Sequence, residues 1–96
     1  MSLNKNKKIR NIRKKLDSLD NKLLSIIKKR TNLVNQVLKI KSNKSQIIDR
    51  KRIKVILKNI KKKSLSKRID PELTKRIWIG MIRAYINFEY RNFKKK

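Results

Sequence analysis

The chain has 96 residues, with 31 Lys or Arg against 6 Asp or Glu and a formal net charge of +25. It contains no Cys and no His, which excludes disulfide frameworks, thiol nucleophiles, Cys/His zinc sites and imidazole acid–base chemistry. No apolar run approaches the roughly 18 residues of a membrane-spanning helix. Met1 to Lys8 is basic but leads into an amphipathic segment and not an apolar h-region, so the expected location is cytoplasmic, with no secretory signal.

At this length one domain is expected, near the lower limit for a self-sufficient core. The 31 cations invite a nucleic-acid-binding reading. Two features weigh against it as the main function. Ile, Lys and Asn fill 47 of the 96 positions, the pattern of drift toward A/T-rich codons, and the cations recur on every solvent-facing side of the expected helices. Nucleic-acid binding is therefore expected only as non-specific electrostatics. The six acids are scattered along the chain, so no metal-ligand cluster is expected.

No Gly or Pro interrupts residues 1–70, which predicts helices separated only by polar breaks. Helix 1 is expected over roughly 5–42. Its apolar seam runs through Ile12, Leu16, Leu19, Leu23, Ile26/Ile27, Leu33/Val34, Val37 and Ile40, and two cations, Arg30 and Lys41, fall on that seam. The first break is Ser42-Asn43-Lys44-Ser45. Helix 2 is expected over roughly 49–62 with Asp49 as its N-cap. Its stripe of Ile53, Leu57 and Ile60 extends N-terminally to Arg50. The second break is Lys63-Ser64-Leu65-Ser66. Helix 3 is expected over roughly 71–93, announced by Asp70-Pro71-Glu72: a cap, a proline at the first helical position and an acid in the first turn. Its seam of Trp78, Ile82 and Tyr85 leads to Glu89. The expected fold class is all-α.

A helix of that first length spans about 57 Å, against a radius of gyration near 12 Å for a compact chain of this size. Two shorter helices cannot cover its whole stripe, so a two-fold homodimer of intertwined three-helix protomers is expected. Charges on buried seams cost several kcal/mol each unless paired. Arg30, Lys41, Arg50 and Glu89 together point to one polar pocket that receives an anion. Arg30 and Lys41 lie about 16 Å apart along the helix and about 20° around it, close enough to converge on one ligand. Arg13 lies about 25 Å from Arg30 and roughly 100° away, so it can serve only the partner's site in an antiparallel dimer.

The run Ile12-Arg13-Lys14-Lys15-Leu16-Asp17-Ser18-Leu19-Asp20-Asn21-Lys22-Leu23-Leu24, followed by Arg30, Lys41 and Asp49-Arg50, resembles the all-helical (type II) chorismate mutases. The resemblance covers about residues 9–93 and implies an intertwined dimer that rearranges chorismate to prephenate in Phe and Tyr biosynthesis, with no cofactor. Carried over by position, it implies that Arg13 binds substrate in the partner's site, that Arg30 and Arg50 bind carboxylates, and that Lys41 meets the ether oxygen and a carboxylate. It places Tyr85 and Glu89 in the pocket and gives Val37, Ile82 and Ile86 as apolar lining. Two departures stand out. Lys51 occupies the position where the family usually has a Glu that bonds the substrate hydroxyl, and it fits either a pocket residue or a solvated lysine. Glu89 stands where bacterial members often have Gln. As a donor to the ether oxygen Glu89 must be protonated, whereas an ion pair between Lys51 and Glu89 would keep it ionised; both remain open. Tyr85 fits either as a direct ligand or as core with its hydroxyl at the rim. Trp78 reads as core, and Asp17 and Asp20 as surface or helix-pairing residues. Tyr85-Ile86-x-x-Glu89 is also similar to the helix-3 end of isochorismate-pyruvate lyases, so that activity on the same fold is the alternative enzyme. A non-enzymatic basic helical protein that binds nucleic acid is the alternative outside enzymology.

Overall fold

The computed structural model describes residues 3–94, and among them the only regular structure is helical. Three α-helices follow in order: α1 at Leu3–Ile40, α2 at Arg50–Ser66 and α3 at Pro71–Asn92, with a 3-10 turn at Lys44–Gln46 between the first two.

Helix α1 ends two residues before the expected position because its last backbone donors are used differently. The Lys41 N–H closes the final turn onto the carbonyls of Val37 and Leu38, at 3.3 and 3.2 Å. The N–H groups of Ser42 and Asn43 turn away to the Gln46 side-chain oxygen, at 2.6 and 3.2 Å. One side-chain oxygen thus accepts both N–H groups that would otherwise have continued the hydrogen-bond ladder of α1.

Helix α2 starts where its cap predicts. The Asp49 carboxylate accepts from the Arg52 N–H at 3.0 Å, which satisfies a free donor of the first turn. Its C-terminus departs from expectation, since residues 63–66 are helical and not a break. Ser64 is buried, donates its hydroxyl to the Ile60 carbonyl at 2.6 Å and shares a 2.7 Å hydrogen bond with the Thr74 hydroxyl of α3. A serine that bonds one turn back in its own helix need not interrupt it.

The true stop lies at residues 67–70. The Arg68 N–H bonds the Leu65 carbonyl and the Ile69 N–H bonds the Ser64 carbonyl, at 3.2 and 2.8 Å. Together they form a Schellman closure. Its left-handed residue, normally glycine, is Arg68 at φ 59°. Helix α3 then starts at Pro71, with the Asp70 carboxylate accepting from the Glu72 N–H at 2.9 Å. Glu72 also pairs with Arg76 one turn on, at 2.9 Å.

The chain divides into two compact units that part between Gln36 and Val37. The first is α1 up to Gln36, a single helix whose apolar stripe remains open: Leu16, Leu19 and Leu23 are 52, 56 and 52 % exposed. In the second unit α2 and α3 pack together as a helical hairpin. Leu38 and Ile47 are its buried apolar side chains, supported by half-buried Ile53, Leu57 and Ile60 of α2 and Trp78 and Ile82 of α3.

Candidate active site

The second unit brings Lys41 and Glu89 together. Lys41 stands at the end of the last turn of α1, and Glu89 lies near the C-terminus of α3. The Lys41 ammonium donates to Glu89 Oε1 at 3.1 Å, with the two side chains only 17 and 10 % exposed. Glu89 is the one charged residue that is buried among the described residues. Its burial follows from helical phase: Ile82, Tyr85, Ile86 and Glu89 share one face of α3, and the first three are half-buried. The Tyr85 ring meets the Phe88 ring edge-on, with centroids 6.2 Å apart and planes at 84°.

Lys41 is also part of the wall of an open pocket of about 480 Å³, together with Gln46, Ile48, Asp49, Arg50 and Lys51. Three cations thus share one pocket with one carboxylate. Arg50 and Lys51 are exposed at the start of α2, so Arg50 is not the buried seam charge that its stripe suggested; it stands at the pocket wall because the N-cap at Asp49 fixes where the helix begins. Glu89 is paired with Lys41, not with Lys51, and the possible Lys51–Glu89 ion pair is replaced by this one.

The remaining candidates are placed as follows. Arg13 and Arg30 belong to the first unit, Arg13 exposed and Arg30 half-buried on α1. Val37 is exposed and is not part of the pocket wall, and neither are Ile82, Tyr85 or Ile86. Sequence reasoning missed Gln46 and Ile48. The signal for Gln46 was there: an amide three residues after Asn43 is the second half of a capping box, and that turn carries the chain from Lys41 to Asp49.

The pocket wall holds no hydroxyl and no thiol, so nothing in it is a nucleophile of the Ser or Cys type. Its chemistry is to hold anions and stabilise developing negative charge. The Lys41 ammonium has three protons to donate, and one is spent on Glu89. Among the described residues no group of three or more acidic side chains is arranged to hold a metal ion, and no helix is long and apolar enough to cross a membrane.

Residues 12–90 match the family model described as chorismate mutase type II. No curated protein and no solved structure matches the chain.

Proposed function

The chain belongs to the type II chorismate mutase family, and from that premise we propose that it is an isomerase converting chorismate to prephenate, as a step toward Phe and Tyr. The observation that carries the reading is Lys41: a cation held by a buried carboxylate at 3.1 Å, in the wall of a pocket it shares with Arg50 and Lys51. The reaction is intramolecular and pericyclic. The ether C–O bond breaks while a new C–C bond forms, and no proton, electron or group leaves the substrate. The protein has only to clamp the dicarboxylate in its compact conformer and to meet the ether oxygen as it gains negative charge.

Arg50, Arg30 and the partner's Arg13 provide the clamp, because a guanidinium fork matches a carboxylate. Lys41 donates to the ether oxygen. Glu89 accepts from the Lys41 ammonium at 3.1 Å and limits its motion. In this reading the working form is a homodimer. The open stripe of Leu16, Leu19 and Leu23 supports it, since burying a leucine side chain contributes roughly 1.5–3 kcal/mol and a second copy offers the same stripe.

Incubation of the purified protein with chorismate, followed by product identification, tests the proposal: prephenate must accumulate, and Lys41→Ala must slow its formation by about 10²–10³. Release of pyruvate from isochorismate, with chorismate untouched, would replace the mutase by the lyase.

A further inference from the structure

Taking that pocket as the site of the proposed reaction, we infer that Gln46 is a positioning residue for Lys41: its side-chain oxygen fixes the backbone from which the ammonium reaches Glu89 and the substrate. Lys41 is the last residue whose N–H closes onto α1. The peptide that follows it is held by Gln46, whose Oε1 accepts from the Ser42 N–H at 2.6 Å and from the Asn43 N–H at 3.2 Å. A peptide unit is planar, so holding the Ser42 N–H also sets the Lys41 carbonyl and the direction in which the chain leaves Lys41. Gln46 is itself anchored. Its N–H bonds the Asn43 carbonyl at 3.2 Å, and its neighbour Ile47 is 3 % exposed, one of the buried apolar side chains of the hairpin unit. A restraint thus runs from the core, through Gln46, to the base of Lys41.

The far end of Lys41 is held as well, by Glu89 Oε1 at 3.1 Å. A lysine side chain is long and rich in rotamers, and a donor to developing charge works only when it is fixed in advance. Gln46 restrains the base of this donor and Glu89 its head, and Gln46 stands with Lys41 in the pocket wall. The Gln46 turn is exposed, so water can take over the two N–H groups when the amide is removed. The fold then survives, and what is lost is the placing of Lys41.

Two variants of the full chain separate these roles. Gln46→Met keeps the length of the side chain and removes the oxygen, whereas Gln46→Glu keeps an acceptor for both N–H groups. Side chains that share no partner add in their effects on stability, so a double-mutant cycle with Glu89→Leu, read by urea denaturation at one protein concentration, detects coupling through Lys41. Glu89→Leu is expected to lower the midpoint by about 2 M in the parent but by only about 1 M in Gln46→Met, where the pair is already loosened. Gln46→Glu should restore the full shift. In chorismate turnover Gln46→Met should lower kcat about tenfold with KM little changed, since the donor is misplaced and not deleted. Gln46→Glu should keep kcat within about twofold and raise KM, because its charge opposes a dicarboxylate. Equal Glu89→Leu shifts in the parent and in Gln46→Met would overturn the assignment, as would a Gln46→Glu protein that lost kcat as Gln46→Met does. A parent that turned over no chorismate while the shifts stayed coupled would remove the mutase reading and leave Gln46 as the residue that places Lys41.

Discussion

Replacing Glu89 is the most informative perturbation of this chain, because it separates the charge of the pair from its shape. At 3.1 Å and an effective dielectric near 20, the gross Coulomb attraction is about 5 kcal/mol. Desolvation of two ions, at several kcal/mol each for full burial, offsets most of it. Both groups keep some contact with water, Lys41 at 17 % and Glu89 at 10 %, so the net contribution falls below the 3–5 kcal/mol lost when a fully buried pair is broken. Glu89→Leu leaves the ammonium without its acceptor and should cost about 2 kcal/mol. Glu89→Gln keeps an acceptor oxygen in place and should cost about 1 kcal/mol. Urea denaturation at one fixed protein concentration measures both. With a slope of about 1 kcal/mol per molar, the midpoints should fall by roughly 2 M and 1 M. A Glu89→Leu protein within about 0.5 kcal/mol of the parent, the range of an ordinary surface change, would refute this account.

Lys41→Ala should lower chorismate turnover by about 10²–10³, the usual effect of deleting one donor to a developing anion, while circular dichroism stays helical; near-normal turnover would make Lys41 purely structural. Arg13→Ala and Arg30→Ala chains should each be inactive, yet regain one intact site per heterodimer when co-refolded, and a failure to recover would count against Arg13 acting on the partner's substrate. Arg68→Gly should raise stability by about 1 kcal/mol, because the left-handed φ of 59° strains every residue except glycine; an unchanged or lower urea midpoint would show that the arginine side chain compensates there.

The helices were legible because their signals are local. Asp49 and Asp70-Pro71-Glu72 mark two starts within one residue, and the 3.6-residue spacing of Ile and Leu is clear even among so many lysines. The end of α2 was misread for a physical reason: Ser64 looks like a breaker until Thr74, ten residues on and in another helix, supplies the partner that lets it stay buried. The true stop carried no signal, since an arginine occupies the place of the usual glycine. At the site, the seam argument picked out Lys41, which is half-buried, and Glu89, which is buried, but it could not pair them, because pairing depends on where the Gln46 turn delivers the chain. Arg50 was found for the wrong reason, as a buried charge, when its exposed place at a capped helix start is what sets it in the pocket wall.

The open stripe of α1 also bears on how a newly made molecule survives. Residues 3–36 leave the ribosome before the hairpin that follows them, and they present leucine and isoleucine to solvent with no strongly acidic stretch to shield them. Lysines adjoin these apolar residues along the helix: Lys15 beside Leu16, Lys22 beside Leu23, Lys28 beside Ile27. Such neighbours act as gatekeepers, holding like chains apart by repulsion until a specific contact outweighs it. The excess of lysine thus serves a chain that exposes its stickiest surface first. That protection weakens as salt rises, so unassembled chains should tolerate dilute buffer better than brine.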